Sequence, residues 1–296
     1  MDVLWALKSF LHGLKGPIIG VIPFLKLLRV HEVIKNKLLK CVLLNGVVLL
    51  LSIIIFEYVV LRAIEIIVSS VYSILVSPSE TGVFKWLSTV LWYMFTGFWV
   101  LPLSWISKPI NTIWFMDIAS ATYEANQKNK DRKKAKPKSI INQGVSVFIA
   151  DMLFSLVLEL LFLVQGLVFS QIPFIGGLLN IFHLAMYYSL YAFEYKWINE
   201  GWRVEKRVSY IEQRWPYFLG FGLPLALAVG SVESTIISGC IYAMGFPLFI
   251  ISASESQPEE AVGTPLPPQI PIFKLVICIT NKIFTRNKAV TSTPAD

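Results

Sequence analysis

Charge is what this 296-residue sequence has least of. Only 15% of its residues are Asp, Glu, Lys or Arg, against roughly 25% in soluble domains. Hydrophobic residues make up 55%, and the mean hydropathy is +0.63. So little charge excludes an ordinary soluble domain and fits one helical membrane domain with short tails. Cysteine is nearly as scarce: Cys41, Cys240 and Cys278 form no C-x-x-C pair. They read as buried small hydrophobes, which excludes a disulfide framework or a zinc site. His12, His31 and His183 lie far apart in sequence, with no partner at metal-ligand spacing. His183, inside an apolar block, reads as an interhelical hydrogen-bond donor. There is no phosphate-binding loop, no G-x-G-x-x-G and no G-x-S-x-G, and Gly220-Phe221-Gly222 reads as a close helix contact. No catalytic group, cofactor or metal is expected.

What the sequence does have is a one-sided distribution of its few charges. Of the 26 Lys+Arg, only Arg62 and Lys85 need the side opposite the rest once the apolar blocks are laid across a bilayer. That is the positive-inside pattern. It places both termini, Gln127–Lys138 and Lys196–Arg214 in the cytosol. The net charge of +7 then points to anionic lipid headgroups as the partner, not to nucleic acid.

Residues 1–37 read as an amphipathic interfacial segment, not a signal peptide: Val3, Leu4, Leu7, Phe10, Leu11, Leu14, Ile18 and Ile22 recur at helical spacing around Lys8, His12 and Lys15. Residues 38–253 form the membrane domain. Leu38–Val60 is long enough to span, and the tract runs on past Arg62 and Glu65 to a break at Ser77-Pro78-Ser79-Glu80. Phe84–Ile106, with Trp86 and Trp105 near its ends, returns the chain, ending at Lys108-Pro109. Trp114–Tyr123 is amphipathic and precedes the basic loop. Ile149–Phe169 and Leu178–Tyr195 flank a chargeless turn, Gln171 to Gly177, and Glu194–Arg214 reads as one amphipathic surface helix. Tyr195, Ile198, Trp202 and Val208 would line its packed side, with Arg203 and Arg207 among the polar ones. Pro216–Gly230 and Thr235–Ile251 are short, broken blocks in which Gly220, Gly222, Pro224 and Gly239 are the candidate packing positions. The expected fold is an all-α integral membrane protein. It has two long transmembrane helices, two helical hairpins that either cross fully or insert in part, and amphipathic interfacial helices. Residues 254–296 read as a Pro/Glu linker, a short amphipathic segment docked at the interface, and a flexible tail from Thr291. Among the acids in or beside the membrane blocks (Glu57, Glu65, Asp117, Asp151, Glu159, Glu194 and Glu233), structural pairing outweighs an ion path.

Specific runs carry a family resemblance. Tyr188-Ser-Leu-Tyr-Ala-Phe-Glu-Tyr-Lys-Trp197, Arg207–Arg214 and Trp215-Pro-Tyr-Phe-Leu-Gly-Phe-Gly-Leu-Pro224 resemble the etoposide-induced protein 2.4 homologue family. Ile236–Cys240, Phe246–Ala253, Trp99–Leu103, Ile113–Ala119 and Ile149–Phe154 extend the likeness over most of 38–253. The resemblance implies a non-enzymatic, multipass endoplasmic reticulum protein working with the autophagy machinery in autophagosome maturation and degradation, with growth suppression in animals. It also implies kinship with bacterial CysZ-type sulfate permeases, whose later helices form partly inserted hairpins. Those permeases hold the anion with a Gly-Leu-Arg element, where this chain has Gly13-Leu14-Lys15. Lys lacks the guanidinium fork that grips an oxyanion with two parallel bonds, which counts against sulfate transport.

Three functions follow in order of preference: a scaffold or lipid organiser required in autophagy, homo-oligomeric or not; a small-anion channel or permease with Lys15, Lys26 and Arg29 as contacts; and a membrane enzyme using Asp117, Asp151 or Glu159. Phe273-Lys-Leu-Val276 has the spacing of an autophagy-adaptor-binding motif, and membrane packing is the simpler reading of it.

Overall fold

The computed structural model of the chain describes residues 3–75, 81–129, 145–258, 271–279 and Lys282. The expected break at 77–80, the basic loop from Lys130 onward, most of the Pro/Glu linker and the end from Thr291 lie outside the described residues, as do the side chains of Lys85, Asp151 and Glu159. Among the described residues the chain is helical throughout with no strand. Its exposed surface is studded with large apolar side chains, from Leu4 to Ile279. Four stretches are long and apolar enough to cross a membrane: Leu4–Val30, Glu32–Val71, Trp86–Gln127 and Thr235–Glu255. This is an all-α membrane protein.

The first two helices, α1 (Val3–Ile19) and α2 (Val21–Val30), do more than lie in an interface. On α1 the residues turned inward are small or polar: Ser9, Gly13, Pro17 and then Gly20 are buried, whereas Leu4 is 75% exposed and Leu7, Leu11 and Ile18 also face outward. A soluble amphipathic helix would do the reverse. In lipid there is no hydrophobic gain in burying Leu against protein, so small residues take the contact and backbones close up.

The trunk consists of two long antiparallel helical columns. The first joins α3 (Glu32–Val42), α4 (Ser52–Ile55) and α5 (Leu61–Leu75) through π-helical stretches at Leu43–Leu51 and Phe56–Val60. The second joins α6 (Thr81–Phe95) and α7 (Leu101–Asn129) through a π-helical turn at Thr96–Val100. At 1.5 Å per residue they are about 65 and 70 Å long, against a hydrocarbon core of about 30 Å. The helix does not break where the chain is expected to leave the membrane, at Lys108-Pro109: Pro109 sits inside α7. Its fixed φ is helical and it forfeits one hydrogen bond, which packing on both sides of it outweighs. The buried stripe Ser107, Asn111, Phe115, Ile118, Ala119, Thr122 and Ala125 runs straight through that region.

The columns are registered by paired contacts in sequence order. Lys37 Nζ meets Asp117 Oδ2 at 2.5 Å. Asn45 and Asn111 exchange two amide hydrogen bonds at 2.9 and 3.1 Å, both fully inside the protein. Trp99 Nε1 donates to Ser52 Oγ at 3.2 Å, and Phe56 stacks on Phe95 at 3.9 Å.

Two hairpins complete the body. In the first, α8 (Val145–Ser170) turns at 171–175 into α9 (Gly176–Asn199). This apolar turn satisfies its own backbone: Gln171, Ile172, Ile175 and Gly176 donate to Val168, Phe169, Pro173 and Ile172 respectively. A Cβ at Gly176 would stand 2.3 Å from the Ser170 carbonyl oxygen, so the turn needs glycine there. His183 bridges the two arms, its Nδ1 2.9 Å from its own helix at Leu179 O and its Nε2 3.3 Å from Gln165. In the second hairpin, α11 (Trp215–Gly230) is followed by α12 (Thr235–Glu255), which at 21 residues is longer than expected and of spanning length. Pro224 and Pro247 lie within these helices.

Candidate functional site: the elbow between α9 and α10

The expected single helix over Glu194–Arg214 is two helices and a sharp elbow. Gly201, with φ of 76°, ends α9 in the left-handed conformation that glycine adopts without steric cost. Gly201 N–H bonds to Ile198 O at 3.1 Å, and Trp202 N–H reaches back to Trp197 O at 2.9 Å. That pair of bonds is a Schellman closure, and its customary apolar contact is present as well. The Trp197 and Trp202 rings stack at 5.5 Å with a 7° interplanar angle. Arg203 is extended and begins α10 (Val204–Gln213).

Helix α10 buries Val204, Arg207, Val208, Ile211 and Glu212, a stripe at helical spacing with a cation and an anion in it. Arg207 therefore is not on the solvated side as its sequence position implied; it is 1% exposed. Its Nη1 donates to Glu194 Oε1 at 2.8 Å, while Nε and Nη2 donate to Trp202 O at 2.9 and 2.6 Å. The guanidinium thus ties the end of α9 to α10 and caps the carbonyl left free by the turn. A buried charge is tolerable only when paired and hydrogen-bonded in this way.

Around the ion pair stands an aromatic wall. Tyr210 packs edge-on to Trp197, Trp202 and Phe218, and Phe193 packs edge-on to Phe218 and Phe221. Cations crown it: Lys206 Nζ sits 3.7 Å from the Trp202 ring centre, and the Arg214 guanidinium 4.0 Å from that of Tyr210. Trp202 is half-buried and Arg203 exposed, so of the three residues assigned to an interfacial helix only Arg203 faces freely outward.

The elbow also gathers helix ends. Lys196 Nζ donates to Ser256 O at 2.8 Å at the end of α12, and Asn126 Nδ2 on α7 reaches Ser254 Oγ at 3.2 Å. Glu212 Oε1 accepts from the backbone N–H of Phe273 at 2.9 Å, which ties in the tail. That tail segment packs on protein through one side, with Phe273 and Val276 buried.

The glycines part company. A Cβ on Gly222 would lie 1.9 Å from Ala185 O on α9, and one on Gly220 would lie 2.2 Å from Phe10 O on α1. Gly239, by contrast, is exposed with nothing within 4 Å of its Cβ position, so it makes no packing contact. Pro224 is half-buried. Lys15, Lys26 and Arg29 are all exposed. Cys41 and Cys240 are buried as expected, but Cys278 is exposed. Among the described residues no group of three His, Cys, Asp or Glu could hold a metal ion. Sequence reasoning missed Asn45, Asn111 and Glu212. A lone Asn inside a 23-residue apolar run was the available signal for the first pair, because an amide in lipid needs a partner.

A family model described as Sulfate transporter CysZ/Etoposide-induced protein 2.4 matches residues 20–231. The chain belongs to this family. The part shared with the CysZ/etoposide-induced 2.4 family runs from the α1–α2 junction to the α11–α12 turn, so it contains the elbow and leaves the docked tail outside. The chain is 31% identical to a protein named Protein EI24 homolog of Arabidopsis thaliana over 244 residues, 76% of each chain. With a Protein EI24 homolog of Dictyostelium discoideum it shares 26% identity over 293 residues, 95% of this chain and 86% of the other. Ectopic P granules protein 4 of Caenorhabditis elegans is 29% identical over 188 residues, 63% of this chain and 55% of that protein. No solved structure matches the chain.

Proposed function

We propose that the chain is a non-enzymatic, multipass protein of the endoplasmic reticulum membrane that serves autophagy as a scaffold or lipid organiser. Its working face is the cytosolic end, where the elbow, Arg203 and Lys206 meet anionic headgroups. The observation that carries this reading is the Arg207–Glu194 pair, 2.8 Å apart and buried. It is spent on holding two helices and a turn in place, and the polar groups near it bond to helix ends and to the tail. Such an arrangement supports a rigid platform. The aromatic–cation crown of Trp202, Lys206, Tyr210 and Arg214 supports contact with a headgroup layer.

A second reading, a small-anion permease, draws on the family's description as a sulfate transporter. Its candidate contact is Lys15, two residues beyond a Gly13 wedged against the Tyr217 carbonyl of α11. Purified protein in vesicles, loaded with labelled sulfate, separates the two. The scaffold reading expects flux no faster than from protein-free vesicles. Saturable flux removed by Lys15→Glu overturns it. In cells lacking the protein, Arg203→Glu/Lys206→Glu is expected to restore autophagic degradation less well than wild type at equal expression.

A further inference from the structure

Residues 271–279 lie far from the elbow in sequence, yet Phe273 is 0% and Val276 1% exposed. Two contacts seat them. The Phe273 ring packs on Phe162 of α8 with centroids 4.5 Å apart, and its backbone N–H donates to Glu212 Oε1 of α10 at 2.9 Å. A groove of about 420 Å³ remains beside the segment, lined by Glu212, Pro271, Lys274, Ile277 and Cys278. The outward face, with Lys274, Leu275 and Cys278, is exposed.

A helical turn of six residues, 274–279, does not persist alone in water, because nucleation outweighs the few bonds it forms. Its order therefore comes from the groove. The groove in turn contains features independent of the tail: α8 supplies an aromatic floor, and α10 supplies a buried carboxylate aimed at an incoming backbone N–H. A carboxylate that accepts from a main-chain donor makes a charge-assisted bond of useful direction, and it leaves the side chains free to give specificity. That is how a peptide site is built.

We propose that the α8–α10 groove is a peptide-binding site whose resident ligand is the chain's own 271–279 segment. The ligand class is a short helical peptide with an aromatic residue at one position, an aliphatic one three residues later, and a free N–H at the aromatic. Residues 259–270 tether the resident to the body. A tether of this length gives an effective concentration on the order of mM. A modest intrinsic affinity thus keeps the segment seated, and an outside peptide of the same pattern is shut out until the segment leaves. The Phe273-Lys-Leu-Val276 pattern is hidden while docked and offered when released. This inference concerns the groove and stands apart from the scaffold and permease readings.

The test uses the full-length protein in detergent and a fluorescently labelled peptide of residues 271–279, followed by anisotropy. Phe273→Asp/Val276→Asp empties the groove and is expected to bind the peptide at least ten-fold more tightly than wild type. Adding Glu212→Ala to that variant is expected to weaken binding by ten-fold or more, and Glu212→Gln, which keeps an acceptor oxygen, by less. Equal binding to wild type and emptied protein, or no binding to an emptied protein that elutes as wild type does, overturns the proposal. Should the emptied protein aggregate, a protease site placed within 259–270 of the otherwise wild-type chain decides. After cleavage and dilution the tail should leave and labelled peptide replace it. A tail that stays bound through dilution and competition overturns the idea of an exchangeable ligand.

Discussion

Arg207 shows how little a charged side chain's letter says about where it resides. Removing its head in Arg207→Ala would take the paired cation from the buried Glu194 carboxylate and the guanidinium donors from the Trp202 carbonyl. Breaking one half of a buried pair costs about 3–5 kcal/mol. Thermal unfolding in detergent should show a large drop for Arg207→Ala, while Glu194→Met/Arg207→Met should recover much of it. Additive losses in that cycle would mean the two groups do not act as a pair. The glycines permit a second comparison at this scale. Gly222→Ala must push the Ala185 carbonyl away and is expected to lower the midpoint, with Gly222→Leu worse still. Gly239→Ala meets open space inside α12 and should raise it, by up to about 1 kcal/mol of helix propensity. In sequence these glycines look alike, each flanked by apolar or small residues. Which backbone lies opposite is a property of packing, so the sequence reading put Gly239 and Gly222 in one class. The Glu194–Arg207 pair was hidden for a related reason: thirteen residues and a left-handed turn separate its members.

Elements were more legible, because length and apolar content are written along the chain. The long columns, the two hairpins and the chargeless turn at 171–175 all follow from where apolar blocks start and stop. Two features did not follow. The first is the continuation of α7 through Pro109, where a stripe of buried contacts outvotes a local breaker. The second is the orientation of α1. Its leucine stripe was visible, but the side that packs on protein is the Ser9–Gly13–Pro17–Gly20 stripe, while Leu4, Leu7 and Leu11 stay exposed. The Asn45–Asn111 amide pair gives this scale its prediction. With both groups buried and mutually bonded, Asn45→Leu takes both amide bonds from Asn111, and Asn111→Leu leaves Asn45 with its bond to Cys41 O alone in an apolar setting. Either change should cost roughly 1 kcal/mol. The double change should cost less than the two singles combined, as read by unfolding in a mild detergent. Equal and additive losses would show that the amides act independently and that the register of the columns is set by Lys37–Asp117 and the aromatic stack alone.

For the whole molecule, the decisive feature is that contacts collect at one end. The end of α7 meets the end of α12 through Asn126 and Ser254, the end of α9 meets it through Lys196 and Ser256, and α10 holds the tail through Glu212 and Phe273. These ties convert a statistical bias in Lys and Arg into a rigid-body statement: if one of these ends faces the cytosol, the others do too. Cys278 is well placed to measure it. It is exposed beside the docked Phe273, whereas Cys41 and Cys240 are buried, so the wild-type chain carries one reactive thiol among its described cysteines. In sealed microsomes with their cytosolic face outward, a membrane-impermeant maleimide should modify the protein before any detergent is added. Cys278→Ser should abolish that labelling, and permeabilisation should add little. Labelling of wild type that appears only after permeabilisation would put the elbow, the tail and the α7 and α12 ends together in the lumen. It would also invert the membrane face from which the proposed scaffold works. Because Glu212 ties the tail to α10, a result of that kind could not be ascribed to the tail alone unless Glu212→Ala changed it.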